Sequence, residues 1–91
     1  MTFVPGALYM VKTGNIAQAV SLEGRTFIKD LSYLITLEDE AHVVAVARLR
    51  DLLENGLLKK KWSDIGLITT DWLVLSNQGL VWIEDTCLVL L

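Results

Sequence analysis

Residues 71–91 read DWLVLSNQGLVWIEDTCLVLL and contain two alternating apolar runs separated by the turn-forming residues Ser76-Asn77-Gln78-Gly79. Successive side chains of a strand point to opposite faces, and a turn rich in Asn and Gly joins neighbouring strands. Asp85 and Thr86 predict a second tight turn, and residues 87–91 predict a short return strand. This stretch therefore predicts the closing hairpin of a small β-barrel.

The turn also predicts a register for the hairpin. A three-residue loop with Gly79 in the left-handed conformation pairs Ser76 with Leu80, so that Val74 lies opposite Trp82. One face then lies inside the barrel and consists of Leu73, Leu75, Val81 and Ile83. The other face carries Trp72, Val74 and Trp82, and we expect it to be a contact surface.

Composition places the chain among folded domains. Its 91 residues predict a single domain, 1–91, because 53% are apolar and only 21% are charged. One cysteine, Cys87, excludes an intramolecular disulfide and is expected to be a buried small apolar residue. No apolar run is long enough to span a bilayer, which favours a soluble, cytoplasmic protein.

The upstream segments are less regular. Residues 7–12 and 31–37 predict strands because they are rich in alternating apolar, aromatic and β-branched residues. Between them, residues 16–30 show neither the helical nor the strand period, and we interpret them as a long loop with some extended structure.

Residues 42–58 fit two structures. A helix would have a capping box at Thr36 and Asp39 and would end at Asn55-Gly56. Strands would turn at residues 54–56 instead. The flanking β segments favour a strand over residues 42–49, with a helical turn over 49–55. The predicted fold is mainly β, a small barrel of about five strands with room for one short helix within residues 38–56.

Two parts of the chain resemble the SH3-like small β-barrels of short phage-encoded accessory proteins. The opening strand with Pro5-Gly6-Ala7-Leu8-Tyr9 is one, and the hairpin WLVLSNQGLVWI with its short final strand is the other. The resemblance implies an SH3-like barrel that serves as an interaction module in the host cytoplasm or the virion. It carries over no catalytic residue.

The tryptophans suggest where such a module binds its partner. Trp62, Trp72 and Trp82 recur at intervals of ten residues, and on one side of a sheet they would form an aromatic patch with Val74. Asp71 and Glu84 would border that patch, which suits a basic or Pro-rich peptide or a neighbouring subunit. The alternative is a second, minor core covered by residues 13–30.

Lys59, Lys60, Lys61 and Trp62 support a nucleic-acid-binding barrel as the alternative function, because lysines bind phosphates and an aromatic ring stacks on a base. The net charge of −3 disfavours it, as does the absence of Lys and Arg after residue 61. A solvated turn or a protected edge strand is the plainer interpretation.

No group of residues predicts an enzyme, a cofactor or a metal site. His42 lacks a second soft ligand, and no basic residue near Cys87 in the sequence would activate its thiol. We therefore expect a non-enzymatic protein-interaction module, a viral accessory or structural protein that self-associates or binds a protein partner through the Trp-bearing face.

Overall fold

The computed structural model of the protein describes residues 2–12, 16–60 and 70–91, with residues 29–33 and 59–60 described in backbone only. Within these ranges the chain forms eight strands and one α-helix. In chain order they are β1 (Leu8–Val11), β2 (Ile16–Glu23), β3 (Thr26–Thr36), β4 (His42–Arg48), α1 (Leu49–Glu54), β5 (Leu58–Lys60), β6 (Asp71–Ser76), β7 (Gly79–Glu84) and β8 (Leu88–Leu90). A 3₁₀ turn, Asp85–Cys87, joins β7 to β8.

The strands form one open sheet in the order β5-β3-β2-β7-β6-β4-β1-β8. All neighbouring pairs are antiparallel except β3 and β5. The prediction of a mainly β fold with one short helix is confirmed. A closed barrel of about five strands is not confirmed, because β2, β3 and β5 continue the sheet outward from β7.

Residues 16–30 are not a loop, as the sequence analysis expected, but belong to the β2–β3 hairpin. Gly24, with φ of +63°, lies in its tight turn, where a left-handed backbone favours glycine. The register of β2 against β3 shifts between Gln18 and Val20. One residue of β2 stands there against four residues of β3, an irregularity that interrupts the pairing and with it the apolar alternation, which explains why neither period was visible.

The final hairpin forms as predicted, and Gly79 has a positive φ of +95°. Its loop, however, contains only two residues, and Ser76 pairs with Gly79. The Ser76 hydroxyl accepts a bond from the Gln78 N–H (3.1 Å) and donates to the Gly79 carbonyl (2.8 Å). A one-residue difference in register moves each side chain to the opposite face relative to the partner strand.

The predicted pairs of the hairpin are therefore wrong. Leu73 lies opposite Trp82, and Trp72 lies opposite Ile83. Partners across an antiparallel pair share a face, so Trp72 and Trp82 lie on opposite faces of the sheet.

Residues 42–58 combine the two structures that the sequence allowed. β4 is followed directly by α1, which ends at Glu54 with Asn55 as its C-cap, and Gly56 has a φ of +68° as expected just beyond a helix terminus. The capping box at Thr36 and Asp39 is wrong, because the helix begins only at Leu49. Between Ala45 and Ala47 the register shifts against β6, so Val46 is an extra residue.

Each face of the sheet has its own core. On the face that we call inner, residues 2–6 fold over the sheet, and Phe3 packs on this core. Its buried members are Tyr9, Val11, Ala17, Leu37, Val43, Ala45, Trp72, Val74, Val81, Ile83 and Leu88. On the opposite, outer face, a smaller core contains Leu49, Leu52, Leu58, Leu73 and Trp82.

Candidate functional site

Two residues predicted to bind a partner lie in the inner core. Trp72 is 3% exposed and makes edge-to-face contacts with the rings of Phe3 (4.9 Å between centroids) and Tyr9 (5.1 Å). Val74 is fully buried beside it. In this position their apolar area is already removed from water by the protein's own chain, so a partner would have to open the core to reach them.

Trp82 lies in the outer core. It is 1% exposed, its ring meets Phe27 edge to face at 6.5 Å, and its Nε1–H donates to the Ile28 carbonyl at 3.4 Å. Trp62 is outside the described residues. The expected shared face of Trp72 and Trp82 is therefore not formed, and a partner contact at Trp62 stays a prediction.

The two acidic residues predicted to border the patch lie directly opposite each other at the ends of β6 and β7. Asp71 is buried, at 4% exposure, whereas Glu84 is exposed. With Cys87 they line an open cleft of about 320 Å³ that also includes Gln18. Two carboxylates directly opposite each other repel, so this pair would make the cleft negative.

Burial raises the pKa of the Cys87 thiol, and the negative charge of Glu84 raises it further. A hydrogen bond from Thr86 and the charge of Lys12 act in the opposite direction, and the net pKa is higher than usual. A thiol of raised pKa is protonated at neutral pH and is a poor nucleophile. Among the residues that the structure describes, no group of three or more His, Cys, Asp and Glu is placed to hold a metal ion.

The predicted nucleic-acid segment is only partly described. Lys59 and Lys60 belong to β5, at one edge of the sheet. Lys61 and Trp62 lie outside the described residues, so nucleic-acid binding stays a prediction. An edge strand that contains lysines in its sequence also fits the plainer interpretation, because charge discourages edge-to-edge pairing with another sheet.

A surface that the sequence analysis missed lies on the outer face, beside the outer core. The register places four apolar residues in one row across β1, β4, β6 and β7, and Leu91, the residue after β8, continues that row. The row consists of Leu91, Leu8, Val44, Leu75 and Leu80. Leu91 and Leu8 are linked by a backbone hydrogen bond, in which the Leu91 N–H donates to the Leu8 carbonyl at 3.2 Å. Leu8, Leu75 and Leu91 are 43%, 49% and 57% exposed.

A second row lies two residues further along the strands. It pairs Val89 with Met10, and Met10 with His42. Val89 is 38% exposed and Met10 is half-buried. We call the six residues Leu8, Met10, Val44, Leu75, Val89 and Leu91 the bare half of the outer face.

We call Ala47, Leu73 and Trp82, which lie on the same face further along β4, β6 and β7, the covered half. Leu73 and Trp82 are buried beneath Leu49 and Leu52 of α1. Leu80 lies at the border, since it packs partly on the outer core.

The sequence does contain a signal for the bare half. Residues 8–11 (LYMV) and 88–91 (LVLL) are apolar at every position, not at every second one. A strand in an antiparallel sheet with one face in water normally alternates, so apolar residues on both faces indicate that something covers both. The sequence analysis predicts a strand in each run and assigns no contact surface to either.

Comparison of the chain with protein-family models, with curated proteins and with solved structures found no match. No helix within the described ranges is long and apolar enough to cross a membrane.

Proposed function

We propose that the chain is a non-enzymatic protein-interaction module whose contact surface is the bare half of the outer face. The observation that supports this proposal is the exposure of Leu8, Leu75 and Leu91, 43% to 57%, in a single row. Apolar surface in water costs about 25 cal/mol per Å², so a contiguous apolar face gains free energy when a partner covers it.

The chemistry of the bare half favours a protein partner over a nucleic acid. Its six members are Leu, Met and Val, and none of them offers the positive charge that binds phosphates. A flat sheet surface suits another apolar surface better than it suits a small ligand, which needs a concave site. The viral accessory or structural setting is the one that the sequence resemblance favours, and it is part of this proposal.

A photo-crosslinking residue placed at Leu75 tests the proposal, in cells of the organism that carries the sequence. We expect illumination to join the chain to a protein. The matched control is the same residue at Leu22, which is 59% exposed but lies on β2, separated from β6 by β7. Equal adducts at both positions, or none at Leu75, would contradict the proposal.

A further inference from the structure

We infer that the cleft beside Asp71 and Glu84 binds the guanidinium group of an arginine side chain from a partner protein. The cleft lies apart from the bare half. On the outer face of β6, Asp71 lines the cleft, Leu75 belongs to the bare half, and Leu73 lies between them beneath α1. The inference therefore goes beyond the proposed function, and it is tested on different residues.

Charge favours a cation in the cleft. Asp71 and Glu84 lie directly opposite each other, and Asp71 is only 4% exposed. Besides burial, the charges of Glu84 and Asp71 raise the pKa of the Cys87 thiol, so their field reaches that wall of the cleft. Lys12 acts on the thiol in the opposite direction, but among the described residues the cleft is lined by no Lys, Arg or His. A cation from outside would relieve the repulsion between the two carboxylates.

Gln18 supplies an acceptor that is independent of the two carboxylates. It pairs with Trp82, so its side chain lies on the same face of the sheet as that ring, and both residues line the cleft. The Gln18 Oε1 atom is buried, and within the described ranges no group donates a hydrogen bond to it. Buried acceptors in folded proteins are nearly always paired. A ligand that brings N–H donors into the cleft would supply the missing bond.

The size and the walls of the cleft favour arginine over other cations. A volume of about 320 Å³ is at the lower end for ligand sites and suits a single side chain. A guanidinium has several N–H donors in one plane, enough for a carboxylate and the Gln18 oxygen together, and it is more weakly hydrated than an ammonium. The exposed side chains of Ile16 and Leu34 line the cleft and would contact the methylene stem. A Ca²⁺ or Mg²⁺ ion, which takes about six or more oxygen ligands, would make no use of these apolar walls.

An NMR titration of the full chain with the blocked peptide acetyl-glycyl-arginyl-glycine amide tests the inference. We expect the side-chain amide signals of Gln18 and the Nε1–H signal of Trp82 to move. The Nε1–H signal of Trp72, in the inner core on the opposite face, should stay in place. Citrulline has nearly the shape of arginine but no charge, so the citrulline peptide should bind about tenfold more weakly or worse. The lysine peptide should also bind more weakly, because an ammonium lacks the planar donors.

Charge-neutralising variants test the placement of the site. Asp71→Asn keeps the shape of the side chain and should raise the dissociation constant of the arginine peptide about tenfold. Glu54→Gln is the matched control, because it removes one negative charge from an exposed position at the end of α1 that does not line the cleft. It should change the constant by less than about twofold. The dispersion of the NMR spectrum checks folding, and Glu84→Gln replaces Asp71→Asn if that variant does not fold.

Equal binding of the arginine and citrulline peptides would overturn the cation site. Equal losses from Asp71→Asn and Glu54→Gln would overturn its placement in the cleft, because general attraction to an acidic protein would then explain the binding. Free arginine carries a carboxylate that the cleft should repel, so tighter binding of free arginine than of the peptide would overturn a partner protein as the source. Failure of the crosslink at Leu75 would contradict the proposed function alone, since Leu75 does not line the cleft.

Discussion

The covered and bare halves of the outer face are built from the same strands and from similar residues, yet they differ in what lies over them. Leu73 and Leu75 are two residues apart on β6 and point the same way, but Leu73 is fully buried and Leu75 is 49% exposed. The difference arises from α1, whose Leu49 and Leu52 pack in one cluster with Leu73 but not with Leu75. Alternation therefore decides which way a side chain points, whereas the connections decide whether the chain covers it.

Removing Trp82 should have the largest effect, because it is the largest side chain of the covered half. Trp82→Ala should lower the free energy of unfolding by about 3 to 5 kcal/mol, since it leaves a cavity beside Phe27 and removes the bond to the Ile28 carbonyl. Equilibrium denaturation in urea measures the change. Trp82→Phe should cost less, because it retains most of the apolar volume.

A loss of association without a loss of stability in Trp82→Ala would contradict the distinction between the covered and bare halves. If Trp82→Ala left the unfolding midpoint unchanged and abolished association, Trp82 would belong to a contact surface, as the sequence analysis expected. The covered half would then be open to a partner.

Truncating the two leucines of β6 compares the halves directly. Leu73→Ala should cost about 2 to 4 kcal/mol, because Leu73 is fully buried beneath α1. Leu75→Ala should change the monomer's stability by no more than about 0.5 kcal/mol, because half of that side chain is already in water. Thermal unfolding at low protein concentration separates monomer stability from association. Equal losses at both positions would mean that the bare half is covered in the monomer.

The hairpin shows how far the sequence could lead. Its two strands and the positive φ of Gly79 were predictable, because the apolar runs and the turn residues are local features. The register was not, because a glycine at this position fits both a two-residue and a three-residue loop. The one-residue difference in loop length decides whether Trp72 and Trp82 share a face. The predicted contact surface therefore depended on the loop length, which the local sequence does not determine.

The irregularities in β2 and β4 are the second feature that the sequence could not predict. Val46 and the shift between Gln18 and Val20 each break a strand's alternation without any distinctive residue such as Gly or Pro. Their positions depend on pairing with distant strands, which a single sequence does not contain. The candidate surface was missed for a related reason: its rows are assembled from five strands, and only the register brings their residues together.

The ion pair between Arg48 and Asp51 should have the smallest effect, although it lies where the covered half begins. Arg48 precedes α1, and its Nε and Nη2 donate to the Asp51 carboxylate at 2.8 Å and 3.2 Å. The two side chains are 38% and 36% exposed, so water screens much of their attraction. A double-mutant cycle with Arg48→Gln and Asp51→Asn should give a coupling of about 0.5 kcal/mol or less, weaker still in 1 M salt. A coupling above about 1.5 kcal/mol would mean that the pair, and not the apolar contacts of Leu49 and Leu52, holds α1 over the sheet.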